Sequence, residues 1–157
     1  MEGTISLSHD SLAFVDAFLP EDDVLEDARR RAEEIGATPV SPGTGAALAL
    51  LAGLIEARAV VEVGTGTGVS GVWLLRGMAP DAVLTSVDAE AEHTRLARQT
   101  FNEAGVPVQR ARLITGRALD VLPRLADGSC DLVFLAGDKR EYEADLEQAM
   151  RLLRPGG

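Results

Sequence analysis

The 157-residue sequence has one cysteine, Cys130, so no disulfide can close within the chain and nothing marks an oxidising compartment. It has no apolar run as long as a membrane-spanning helix, and its first ten residues lack the basic flank and apolar stretch of an export signal. Positive charge is scarce: 15 Lys and Arg stand against 25 Asp and Glu, for a net charge of −10. A surface so biased repels phosphate backbones and anionic headgroups, which argues against nucleic acid and membrane as partners and leaves neutral or cationic ligands. Internal repeats, low-complexity tracts and long linkers are also missing. With 46% apolar and 25% charged residues, the composition is that of one globular domain, and the expected location is the cytoplasm.

Two patterns divide the chain. Up to residue 57 the periodicity is helical: Leu12, Phe14, Val15, Phe18 and Leu19 precede Pro20 and predict a helix over 10–19. A second helix is expected over 21–35, with acidic residues at its start, Arg29 to Arg31 near its end and Gly36 beyond. Ser41 before Pro42 reads as an N-cap followed by proline at the first helical position, opening a third helix. From residue 58 onward short β-branched runs at 59–63, 83–87, 112–115 and 131–135 alternate with helical segments near 72–78, 90–104, 118–125 and 140–153. Alternation of this kind predicts a doubly wound, Rossmann-like α/β fold with a parallel sheet, residues 1–57 forming a helical cap and 58–157 a ligand-binding core. The loops at Gly64, Asp88, Gly116 and Ala136 follow the strands and are expected to face one crevice. The closing Arg154-Pro155-Gly156-Gly157 is a turn that would feed a fifth strand, so the C-terminal strands are expected to be missing.

The densest chemical signal is Glu62-Val63-Gly64-Thr65-Gly66-Thr67-Gly68, where alternate glycines after a strand let the backbone turn sharply and a ligand lie against main-chain atoms. Gly66, Gly68 and Gly71 also satisfy the spacing of the dinucleotide fingerprint, which keeps a nicotinamide-dependent oxidoreductase in view. The phase disagrees, because Gly64 rather than Gly66 directly follows the strand and Gly71 would fall inside the helix. A carboxylate at Glu62 opposes a pyrophosphate and suits a ligand bearing ammonium or sulfonium groups. Asp88 ends the second strand, where a carboxylate can accept both hydroxyls of a ribose or can cap the helix near Glu90.

These segments, together with Gly116 to Leu122, Asp131 to Leu135 and Leu152 to Gly157, resemble the caffeoyl-CoA and catechol type O-methyltransferases of class I. The resemblance runs from about Ile35 to the last residue. It implies methyl transfer from S-adenosylmethionine to an oxygen of a small-molecule acceptor, phenol or catechol in type. It also implies a cofactor site. Val40 would contact the methionyl part, and Glu62, Gly64, Thr65, Gly66 and Gly68 would form the loop at its amino-acid end. Ser70 would lie near the carboxylate, Asp88 would hold the ribose and Ala89 would flank the adenine. Arg117 and Ala118 would border the adenine edge, and Ala136 would begin the loop after the fourth strand.

That last position departs from the family, whose metal-dependent members read Asp-Ala-Asp-Lys where this chain reads Ala136-Gly137-Asp138-Lys139. The first metal ligand is replaced by Ala136, and the family's later ligands would lie past Gly157, so no metal site is expected. The loss also admits a non-catalytic, cofactor-binding pseudoenzyme. No catalytic residue stands out: His9 and His93 read as surface histidines, and Lys139 and Tyr142 as solvated or packing residues. Asp138 reads as a helix cap. The oligomeric state is open on sequence, although the apolar N-terminal helix has little to bury it and could pack on a second copy in a homodimer.

Overall fold

A computed structural model describes residues 8–157. Four parallel strands form one sheet in the order β3-β2-β1-β4: β1 (Ala59–Val63), β2 (Val83–Asp88), β3 (Ala111–Thr115) and β4 (Leu132–Leu135). The chain builds outward from β1 to β3 and then returns to the opposite side of β1. The direction of winding therefore reverses between β1 and β4, where parallel α/β sheets open a crevice beyond their carboxyl ends. Register is tight at that point, with Val63 opposite both Val87 and Leu135.

Helices cover both faces. On one lie α2 (Asp23–Glu34), α3 (Pro42–Leu54), α4 (Val69–Gly77) and α5 (Ala91–Glu103), joined by a core containing Leu25, Leu48, Val72, Leu74, Leu84 and Phe101. On the other, α6 (Ala118–Val121) and α7 (Tyr142–Leu152) close over Val61, Val63, Leu122 and Leu152. The first helix, α1 (His9–Phe18), is capped by Ser8, which accepts the Ser11 N–H, and none of its residues is buried.

Local chemistry explains the element ends. Ser41 accepts the Thr44 N–H and Pro42 opens α3, as the sequence predicts. The helix expected over 118–125 divides instead: α6 ends at Val121 and a 3-10 turn, Leu122–Arg124, completes it. Pro123 supplies no N–H to an α-helical ladder, so the tighter turn takes over. The start of α7 is displaced similarly, to Tyr142, behind a 3-10 turn in which Asp138 accepts the Arg140 N–H. After α7, Leu153 makes a parallel bridge to Cys130, so the chain begins to run along the free edge of β4.

Candidate functional site

The loops after β1, β2, β3 and β4 surround one cavity of about 530 Å³, within the roughly 300–1,000 Å³ of small-molecule sites. The segment between α2 and α3, Ala37 to Val40, closes its outer side. Val40, Gly64, Thr65, Gly66, Ser70, Asp88, Ala89, Arg117, Ala118 and Ala136 all reach the wall, so residues from five separate segments meet there.

The glycine loop is held in shape by its surroundings. Gly64 has φ +91°, and a Cβ there would stand 2.6 Å from the Ala136 carbonyl oxygen, so the loops after β1 and β4 approach as closely as glycine allows. Gly66, at φ +50°, has nothing within 4 Å of a notional Cβ and turns its open side to the cavity. Thr67 donates to the Ala28 carbonyl of α2 at 2.8 Å, and Thr100 of α5 donates to the Thr67 carbonyl at 2.7 Å. Two helices thus clamp the loop from outside.

Two residues expected in the site stand elsewhere. Gly68 is not on the wall: it is the left-handed N-cap of α4, with φ +88°, and a Cβ there would meet Phe101 and Ala97 of α5 at 3.1–3.3 Å. Its small size serves helix packing. Glu62 also lies behind the wall, 0% exposed, so direct contact between its carboxylate and a cationic ligand does not follow from this geometry. Ser70 and Ser86 donate to its two oxygens at 2.5 and 2.6 Å, and Thr65 meets Ser86 at 2.7 Å. While Glu62 is ionised, the one hydroxyl proton of Ser86 goes to it and Thr65 is the donor in that last bond. Glu62 therefore positions Ser70 and Thr65, which do face the cavity.

Asp88 forms the wall at the end of β2. Gly66 N–H donates to its Oδ2 at 3.0 Å and Glu90 N–H to its Oδ1 at 2.9 Å. His93 Nδ1 lies 3.1–3.2 Å from the same two oxygens. His93, expected as a surface histidine, lines the cavity. The available signal was its place in the first turn of α5, because helical side chains lean toward the N-terminus and so back over the preceding strand end. Ala37, Thr38, Pro39, Glu141 and Asp145 are further wall residues without a sequence motif to announce them. His9 is exposed on α1, and Lys139 and Tyr142 are off the wall.

The loop after β4 does not fit a metal held in the family's manner. Ala136 offers no side-chain oxygen, and Asp138 is paired with Arg140 at 2.5 Å, which holds its carboxyl at about 2. Among the described residues, no three His, Cys, Asp or Glu side chains are grouped to hold an ion.

The arrangement is that of a small-molecule site at the switch point of a parallel α/β sheet, with main-chain atoms of a glycine loop at its centre and a carboxylate at the end of β2. This chain belongs to the O-methyltransferase family, whose pattern its residues 16–157 match. It is 54% identical over 146 residues to a candidate O-methyltransferase of Mycobacterium sp. (strain JLS), covering 93% of this chain and 66% of that relative. The chain therefore spans slightly less than two thirds of that curated relative's length. Among solved structures it resembles the O-methyltransferase from Bacillus cereus in complex with SAH, at 30% identity and a TM-score of 0.82, covering 91% of this chain and 67% of that one. It is also similar to TomG from Streptomyces achromogenes, an O-methyltransferase involved in tomaymycin synthesis and solved with SAM, at 31% identity and a TM-score of 0.84. That match covers 98% of this chain and 71% of the other.

Burial dominates the Glu62 carboxyl and raises it from an ordinary 4.5 to about 7, against the lowering effect of Ser70 and Ser86. A raised carboxyl favours folding while protonated in both states and loses that advantage as pH climbs through the folded value. Stability should therefore fall between pH 4.5 and 7, by about 3 kcal/mol from this group, and level off above. Chemical denaturation across that range should show the slope in the native protein and its loss in Glu62→Gln. An unchanged slope in the variant would assign it to other groups.

Proposed function

We propose that the protein is an S-adenosylmethionine-dependent O-methyltransferase acting on a small-molecule acceptor, phenol or catechol in type, and that it works in the cytoplasm. The observation that carries this reading is the cavity itself, in which Asp88 and the open side of Gly66 face the same space in a chain of the O-methyltransferase family. No described helix is long and apolar enough to cross a membrane.

The residues present fit the cofactor. Asp88 would hold the ribose: two of its partners, Gly66 and Glu90, donate from the backbone, which leaves His93 as the side chain that can move aside. Ala89, Arg117 and Ala118 would flank the base. Val40, Gly64, Thr65 and Ser70 would hold the amino-acid end near the N-terminus of α4, whose free N–H groups suit a carboxylate. Glu62 and Gly68 would act from behind, the first by orienting hydroxyls and the second by setting α4. When bound, the cofactor supplies a methyl group on a sulfonium, which an acceptor oxygen can displace in line. The chain's own task is then alignment and exclusion of water. The rival dinucleotide reading loses its third glycine: Gly71 lies inside α4, where a Cβ would stand 2.6 Å from Phe101, away from the cavity.

Calorimetric titration should give saturable binding of S-adenosylhomocysteine and none of NAD. Asp88→Ala should weaken the former by about 1.5–3 kcal/mol, the range for hydrogen bonds to a charged group. Saturable NAD binding with no response to S-adenosylhomocysteine would overturn the reading, and bound cofactor without turnover on any acceptor would favour the pseudoenzyme.

Ala136 and the Asp138–Arg140 pair lead us to propose activity that does not depend on a divalent ion. Exhaustive chelation should leave methyl transfer to phenol and catechol acceptors unchanged. Activity lost on chelation and restored by magnesium would refute this.

A homodimer is proposed through α1, where Phe14 and Phe18 are 69% and 70% exposed. Leu50 and Leu54 of α3 are also exposed, so the apolar surface extends onto the helix that α1 packs against. Sedimentation should find a dimer that dissociates in the double variant Phe14→Ser, Phe18→Ser. A native protein that sediments as a monomer would exclude it.

A further inference from the structure

Three carboxyl residues line the β4 side of the cavity: Asp138, Glu141 and Asp145. Two of them carry a cation from the chain. Arg140 lies 2.5 Å from Asp138, and Arg117 lies 2.5 Å from Glu141. Both arginine side chains are more exposed than the carboxylates they pair with, 89% against 42% for Arg140 and Asp138 and 63% against 30% for Arg117 and Glu141.

Asp145 has no such partner. It lies in the first turn of α7, 1% exposed, and its enclosed Oδ1 takes no hydrogen bond from any described residue. One other enclosed side-chain atom among the described residues shares this condition, Arg31 Nε, but that guanidinium is held by Glu103 and Thr100 and is off the cavity wall. Burial, and then Glu141 one turn earlier, push the Asp145 carboxyl above the usual range. Buried carboxyl groups in native proteins are almost always answered by a donor, and on a cavity wall the natural source of an absent donor is the ligand.

A neutral hydroxyl or a cation could answer it. The surroundings favour the cation: Asp88, Glu90, Asp138, Glu141 and Asp145 all reach the wall, against one arginine, Arg117. A positive group entering this end comes close to the one carboxyl of the three that no arginine already pairs, and its arrival makes ionisation of Asp145 favourable. The strand order also separates this end from Asp88, because β4 lies on the far side of β1 from β2. The end left for the acceptor is thus the one that holds the unanswered carboxyl.

We propose that Asp145 is the binding group for a positively charged nitrogen on the methyl acceptor, so that the cavity selects amine-bearing small molecules over neutral and anionic ones. This assignment rests on the methyltransferase reading and names its acceptor class. The ammonium meets the Asp145 carboxyl from the cavity side, and the hydrocarbon part of the acceptor lies toward Ala136 and Gly137.

The test titrates the protein, saturated with S-adenosylhomocysteine, with three probes of similar shape and different charge: 2-phenylethylamine, 2-phenylethanol and phenylacetate. The amine should bind more tightly than the alcohol by about tenfold or more, the size of one charge-assisted hydrogen bond, with phenylacetate weakest. Asp145→Asn keeps the shape of the side chain and should erase the margin while leaving S-adenosylhomocysteine affinity unchanged, which also reports that the variant is folded. Equal binding of amine and alcohol, binding of none of the three, or a preference that survives the substitution would overturn the assignment. Weaker S-adenosylhomocysteine binding by the variant would give the carboxyl to the cofactor's own ammonium and overturn it as well. Failure of the native protein to bind S-adenosylhomocysteine would overturn the methyltransferase reading beneath it.

Discussion

A carboxyl group with no access to water sits at the end of β1. Glu62 is enclosed between β1, β2 and α4, and its two oxygens are answered by one serine from each of the latter, Ser86 and Ser70. A buried carboxyl is costly unless its lone pairs are filled, so the three elements cannot shift relative to one another without exposing that cost. The hydroxyl of Thr65 continues the chain of bonds into the glycine loop. The first turn of α4, the end of β2 and the loop between β1 and α4 are thereby tied to one group, and all three contribute to the cavity wall.

A second constraint is steric and acts through the backbone. The loops after β1 and β4 meet where Gly64 faces the Ala136 carbonyl, with no room for a Cβ. That approach brings the β4 end, with its three carboxyl groups, beside the glycine loop instead of leaving it on the outside of the sheet. The clamp of Thr67 and Thr100 acts from the opposite face, tying α2 and α5 to the loop. The cavity is therefore a product of how the strand ends are packed, and the helices of the N-terminal half, through Ala37 to Val40, close it.

Glu62 shows how charge and position can part company. Read along the chain, its carboxylate favours a cationic ligand by direct attraction. In the fold it is withdrawn behind the wall, and burial moves its titration to about 7, so its charge is weakest where such attraction would matter. The electrostatic character of the site passes to Asp88 and to the residues after β4.

The alternation of strands and helices, the glycine loop, the carboxylate at the end of β2 and the loss of a ligand at Ala136 are all legible in the order of residues. Each of these is written in local chemistry, in β-branched runs, glycine spacing and residue type, and needs no knowledge of neighbours. Even where local reading slipped, as at Pro123, the cause was local and was present in the sequence. Which side of a strand or helix looks into the cavity is settled by packing between distant segments. Glu62 and Gly68 fall behind the wall, while His93 and Asp145 come onto it, because the rotation of each element is set by the partners it packs against. Whether a buried carboxyl is answered, as at Glu62, or left open, as at Asp145, depends on donors brought from elsewhere in the fold, and sequence spacing carries no record of them.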